Sequence, residues 1–223
     1  MSEAFTASSS TRDIIVIGAS AGGVEALMSI FARLPKDLPA TVAVVLHRHP
    51  LYNVHLAKVL GRGAALPLVE VLEEGQLNHG TIYIAPSDAH LLLTKDGMKI
   101  DRGAKEHFTR PAVDPLFRSA AEAYGPRVSG VLLTGGGDDG VRGLINIKAA
   151  AGISIIQNPT EAKVSSMPMN ALLYDHVDFV LSLQEIPSAV AALAQGKSVH
   201  HFSKAGRNSS LPVSESSVRS RSC

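Results

Sequence analysis

Along the chain, short apolar runs rich in β-branched residues alternate with stretches whose apolar positions recur every three to four residues. The runs are DIIVIGAS (13–20), TVAVVLH (41–47), a short LPLVEV (66–71), SGVLLTG (129–135), ISIIQN (153–158) and FVLSL (179–183). Between and after them lie VEALMSIFARL (24–34), NVHLAKVLGR (53–62), VDPLFRSAAEAYG (113–125), GVRGLINIKAAAG (140–152), MPMNALLYD (167–175) and EIPSAVAALAQG (185–196). The first set predicts strands and the second amphipathic helices. Strict alternation of the two argues for an α/β fold, a parallel sheet with helical crossovers. In the centre, GTIYIAPSDAHLLLTKDGMKID (80–101) breaks the rhythm: its apolar runs flank Lys95-Asp96-Gly97, a hairpin signal, and predict an antiparallel insertion that makes the sheet mixed.

The ends differ from this core. Residues 1–12 are rich in Ser and Thr, and the chain from about residue 201 is rich in Ser and Arg and poor in apolar residues, so both predict disorder around a single domain at 13–200. The 223 residues suit one sizeable core. Twenty-one Lys and Arg against 20 Asp and Glu leave a formal charge of +1, which provides no field for holding nucleic acid or anionic lipid. Cys223 is the single cysteine, so no intrachain disulfide forms. The N-terminus lacks the basic start and apolar stretch of a signal peptide, and no apolar run reaches the roughly 18 residues of a membrane span. A cytoplasmic protein that does not insert into membranes is expected.

Candidate chemistry concentrates where strands end. In IIVIGASAGGVEAL (14–27) a strand runs into a glycine-rich turn and then a helix. Gly18, Ser20 and Gly22 match GxSxG, in which small neighbours allow a sharp turn that exposes the serine Oγ, with a helix N-terminus beside it to stabilise an oxyanion. The competing reading is a dinucleotide fingerprint with Gly18 and Gly23 as its outer glycines. Ser20 then occupies the position where backbone must approach a pyrophosphate, and the next strand ends in LHRHP (46–50), without the carboxylate that would hold a ribose. That strand end does supply a histidine. The carboxyl ends of neighbouring parallel strands lie side by side, so Ser20 and His47 can meet.

His49 stands two residues beyond His47, but no HExxH, CxxC pair or carboxylate cluster accompanies it, and a metal site is not expected. His55, His79, His90, His107 and His176 are scattered singly and read as structural or surface histidines. A third strand end, GVLLTGGGDDGVRGL (130–144), carries Asp138 and Asp139. Either could accept the imidazole Nδ1 proton and stabilise the imidazolium formed as serine attacks, and the other could cap the following helix. The order Ser, His, Asp differs from the Ser, Asp, His of ordinary α/β-hydrolases.

Taken together, GASAGG (18–23), the His47 strand end, YIAPSDAHL (83–91), RPAVDPLF (110–117), LTGGGDDG (133–140) and the pair Met167-Pro168 resemble the catalytic domain of the bacterial chemotaxis receptor methylesterase, the protein-glutamate methylesterase/protein-glutamine glutaminase, over residues 13 to about 195. The resemblance implies a doubly wound, mostly parallel sheet in three α/β/α layers. It implies Ser20 as nucleophile, His47 as general base and Asp139 as the orienting carboxylate. Substrate and oxyanion contacts are implied near Ala21, Gly136 and Arg110, although Arg110 is equally readable as a structural ion pair. No cofactor is implied. The implied partner is a methylated chemoreceptor carrying glutamyl methyl esters. Where the family commonly has Thr, Gln, Met and Arg, this chain has Ala21, Leu46, Gly136 and Met169. The receiver domain that commonly precedes this domain has no counterpart in the few residues before the first strand, so phosphorylation control within the chain is not expected. Two other readings stand beside this one: a non-catalytic scaffold on the same fold, and a nucleotide-binding domain, which Ser20 disfavours.

Overall fold

A computed structural model describes residues 11–48, 56–174 and 177–199. His49, His55, His176 and nearly all of both terminal segments lie outside the described residues. Arg12, expected in the N-terminal segment, is tied down: its N–H donates to Leu193 O (3.0 Å) and its guanidinium to Ala151 O (3.1 Å).

Seven strands form one sheet: β1 (Ile14–Ala19), β2 (Thr41–Leu46), β3 (Leu68–Glu70), β4 (Thr81–Ile84), β7 (Val128–Leu132), β8 (Ile153–Gln157) and β9 (Phe179–Leu181), in the order β3-β4-β2-β1-β7-β8-β9. Every pairing in it is parallel. The expected mixed sheet is therefore corrected. The hairpin at Lys95–Gly97 does form, as β5 (His90–Thr94) and β6 (Gly97–Asp101), but as a separate two-stranded sheet. It packs against α3 (Val113–Tyr124): Leu91 and Leu93 are buried in the same core as Leu116, Leu93 N–H donates to Ser119 Oγ (3.0 Å), and the Tyr124 hydroxyl donates to Thr94 O (2.7 Å).

A wholly parallel sheet must be covered on both faces, which explains why β1 and β2 are buried along their whole length and read as unbroken apolar runs. Alternate residues divide between two cores. Ile15, Ile17, Val42 and Val44 pack under helices α1 (Gly23–Phe31), α2 (Leu56–Leu60) and α6 (Ile186–Ala194). Ile14, Val16, Ala43 and Val45 face α3 (Val113–Tyr124), α4 (Val141–Ala149) and α5 (Ser166–Tyr174) together with the hairpin. In α1 the buried stripe Leu27, Ile30 and Phe31 follows the 3.6-residue period; truncating Phe31 to Ala costs about 3–5 kcal/mol as a transfer and cavity term.

The winding places a crevice. From β1 the chain moves through α1 to β2 on one side, and from α3 it enters β7 on the other, so the connections diverge between β1 and β7. The carboxyl ends of strands flanking such a switch point are where doubly wound sheets bind ligands.

Candidate active site

Three chain segments meet at that switch point, and main-chain hydrogen bonds join them. Ala19 pairs with Leu46 at the last rung of β1 and β2, so Ser20 and His47 leave adjacent strands at the same level. His47 N–H donates to Ala19 O (3.0 Å), and Ser20 N–H donates to Thr134 O (3.0 Å) just beyond β7. The turn after Ser20 closes with Gly23 N–H on Ser20 O (2.8 Å), and Gly22 reaches a φ of 81° that a Cβ would oppose. Thr134 adds a further tie: its hydroxyl donates to Ala21 O (2.9 Å) and accepts from Val164 N–H (2.9 Å).

Gly135 shows why glycine is required in the third loop. A Cβ there would lie 2.8 Å from the Ser20 Cβ and collide with the Met167 sulfur. Met167, at the start of α5, is fully buried and supports this loop from behind, its N–H donating to Gly135 O (2.9 Å). Asn170 holds Gly137 O at 2.8 Å in the same way.

The structure brings His47 and Asp139 together. His47 Nε2 lies 2.6 Å from Asp139 Oδ2, with the imidazole 16% exposed and the carboxylate 2%. Here the structure corrects one detail, because the ring presents Nε2 and not Nδ1 to the carboxylate. Nδ1 is left as the nitrogen with no partner among the described residues. Of the two candidate carboxylates, Asp139 is buried and Asp138 is 68% exposed. Asp139 also accepts from Val113 N–H (2.7 Å) and Asp114 N–H (2.9 Å) at the N-terminus of α3. Burial pushes its pKa up, but the hydrogen bond from His47 and the two amides outweigh burial and hold it below the ordinary carboxylate value. The carboxylate is thus kept ionised beside the imidazole.

The remaining candidates fall around this pair. Ala21 and Gly136 are both solvent-exposed in the two loops that flank Ser20, and among the described residues neither N–H meets an acceptor. Gly135 O is engaged by α5, and a trans peptide points its N–H opposite to its C=O, so the Gly136 N–H points away from α5. Arg110 is occupied elsewhere: it donates to Asp88 Oδ1 (2.8 Å) and Arg102 O (2.8 Å), fastening the loop before α3 to the turn before β5. Arg48 pairs with Glu70 and reaches Ala85 O at 3.0 Å. His90 is structural, with Nε2–H donating to Ala104 O (3.0 Å) and Nδ1 accepting from Ala112 N–H (3.2 Å).

Sequence reasoning missed two residues. Asp114, 2% exposed, accepts from Gly140 N–H (3.0 Å) and Gly143 N–H (2.7 Å) at the N-terminus of α4. His107 lies against Asp114, with Nε2 2.8 Å from Oδ2. The block RPAVDPLF contained Asp114, but as a first-turn acid of a helix it showed nothing of the neighbour it serves. Among the described residues His107, Asp114 and Asp139 form a His/carboxylate group of the kind that can hold a cation. Asp139 spends its oxygens on His47 and the α3 amides, which leaves the group poorly suited to one.

The chain is similar to several known proteins. The CheB methylesterase family model matches residues 15–190. A putative protein-glutamate methylesterase/protein-glutamine glutaminase of Leptospira interrogans is 34% identical over 184 residues, covering 82% of this chain and 95% of its own length. The protein-glutamate methylesterase/protein-glutamine glutaminase of Pyrococcus horikoshii is 35% identical over 183 residues, covering 80% of this chain and 50% of that protein. Among solved structures, the CheB methylesterase catalytic domain of Thermotoga maritima superimposes with a TM-score of 0.79 at 34% identity, over 82% of this chain and all of that one. With the family model spanning most of the chain and the fold matched at this identity, the chain belongs to the CheB methylesterase family.

Proposed function

We propose that this chain is a serine hydrolase that removes methyl esters from glutamyl side chains of chemoreceptors, and deamidates glutamines by the same route, in the cytoplasm. Ser20 is the nucleophile, His47 the general base and Asp139 the carboxylate that orients and charges it. The observation that carries this reading is the buried His47–Asp139 hydrogen bond, held level with Ser20 by the last rung of two parallel strands.

In the reaction, Ser20 Oγ attacks the γ-carbonyl carbon while His47 accepts its proton through the nitrogen not bound to Asp139. The ionised Asp139 stabilises the imidazolium so formed. The tetrahedral oxyanion is met by the amides of Ala21 and Gly136, at the start of α1 and in the loop after β7. His47 then gives its proton to the leaving methoxide, and methanol departs. Water, deprotonated by His47, hydrolyses the glutamyl ester of Ser20 to a free glutamate. With a glutamine substrate the leaving group is ammonia.

Methanol release from receptor-containing membranes whose glutamates carry labelled methyl esters tests the reading, with Ser20→Ala and His47→Ala as comparisons. Release by the unaltered protein and loss in both variants is the expected result. Equal inactivity of all three on several receptors would instead favour a non-catalytic scaffold, and release by Ser20→Ala would overturn the assignment of the nucleophile.

A further inference from the structure

A second histidine lies behind the first. His107 is on the loop between β6 and α3, where both it (φ 50°) and Phe108 (φ 61°) hold a left-handed backbone that non-glycine residues seldom adopt. Its Nε2 is 2.8 Å from Asp114 Oδ2 and 3.8 Å from Asp139 Oδ1, and its Nδ1 is 3.2 Å from Asp138 Oδ1. Both ring nitrogens therefore face carboxylate oxygens, which only accept. A neutral imidazole has a single N–H and can satisfy one of them; the imidazolium satisfies both. His47 holds Oδ2 of Asp139, while His107 approaches Oδ1 of the same carboxylate.

We propose that His107, as an imidazolium, is a positioning residue for the catalytic triad: it clamps Asp114 and Asp138, supplies the cation that three neighbouring aspartates require, and disfavours a second cation on His47. The inference rests on the triad reading above. The groups around His107 are Asp114 from α3, Asp138 and Asp139 from the loop before α4, and His47 from the end of β2 beyond Asp139. On its own loop, Glu106 is paired with Arg118 (2.8 Å) and Arg110 with Asp88, so neither supplies a competing free charge. Burial opposes the charged ring, but the hydrogen bond to Asp114 and the fields of Asp139, Asp114 and Asp138 outweigh it, and the proton is held above the ordinary histidine range.

The consequence is kinetic. A general base must be neutral, and a cation at one oxygen of Asp139 works against protonation of the imidazole at the other. His107→Gln keeps a hydrogen-bond donor but removes the charge; His107→Lys keeps a charge. The acid limb of the kcat/KM–pH profile is expected to move to higher pH in His107→Gln and to return toward its original position in His107→Lys. An unmoved limb in His107→Gln, or an equal displacement in both variants, overturns the proposal. A measurement on the unaltered protein guards against a variant that fails to fold: 15N spectra of its histidines should show His107 protonated on both ring nitrogens at neutral pH, and a neutral His107 there overturns the clamp. That spectrum does not depend on the triad reading, whose own failure is read separately as methanol release surviving Ser20→Ala.

Discussion

Asp139 and Asp114 perform the same structural task in reciprocal positions. Asp139 precedes α4 and closes two amides at the start of α3; Asp114, in the first turn of α3, closes two amides at the start of α4. Both are 2% exposed, and each has a histidine on one oxygen. Their charges nevertheless differ in cost. Burial is the leading effect on each, but in Asp139 its hydrogen bonds prevail and the pKa falls, whereas in Asp114 burial is reinforced by the field of Asp139 and the pKa rises. Two anions packed where two helix N-termini cross cannot both be cheaply ionised, even with amide donors and helix dipoles in their favour. The arrangement assigns the firmly held negative charge to the carboxylate that faces the His47 imidazole.

The largest expected difference between the two lies in catalysis. In Asp139→Asn one set of partners is lost: Oδ2 serves both His47 and the Val113 N–H and Oδ1 the Asp114 N–H, so the new NH2 must face either the first two or the last. In either placement the charge that would stabilise an imidazolium is gone, and in the first the imidazole must also carry its proton on the nitrogen proposed to deprotonate Ser20. Loss of kcat/KM of about 10³- to 10⁴-fold is expected. Asp114→Asn removes no group from the reacting atoms and keeps an acceptor for Gly140 and Gly143, so its loss is about tenfold, through displacement of Asp139. Equal losses in steady-state methanol release would dissolve the distinction.

A smaller effect separates support from chemistry by stability. At Gly143 an added Cβ would collide with the Phe117 Cβ and lie 3.1 Å from Asp114 Oδ1, so Gly143→Ala presses on the α3–α4 crossing at the Asp114 side alone. Urea unfolding should show a loss of about 1–3 kcal/mol. Turnover per folded molecule should fall far less than in Asp139→Asn, because the added methyl meets Phe117 and Asp114 and leaves the groups of the His47–Asp139 bond unchanged.

How much of this was legible beforehand follows from the range of each interaction. Ser20 and His47 could be paired from sequence because the grammar is local, a strand, a turn and the next parallel strand in step. The glycines around Ser20 carried their own reason. Asp138 and Asp139 could not be told apart by position, since adjacent residues on a turn point differently, and which one is buried depends on where α3 starts. His107 and Asp114 looked like a lone loop histidine and a helix-start acid because their partners lie across the α3–α4 crossing, and no periodic pattern encodes that approach. The hairpin shows the same limit. Lys95–Gly97 announced the turn, but nothing local said that β5 would pack against α3 instead of joining the edge of the large sheet.

The subtlest expected effect is on the pH dependence of stability, and the two aspartates should act in opposite directions on either side of the ordinary carboxylate pKa, about 3.9. Asp139 has a folded pKa below its unfolded one, so in the window beneath about pH 4 the unfolded chain binds more protons. Its contribution is present above that window and lost as pH falls through the folded value. Asp114 has a folded pKa above its unfolded one, so just above about pH 4 the folded protein binds more protons, and stability declines as pH rises through the folded value. Subtracting variant from unaltered denaturation curves isolates each part. Asp114→Asn should abolish only the decline on the upper side. Asp139→Asn should abolish the rise on the acid side and also flatten the upper decline, because it removes the anion that raises Asp114. If Asp139→Asn leaves the upper decline untouched, the two carboxylates are not coupled, and the charge assignment between the helices must come from burial alone.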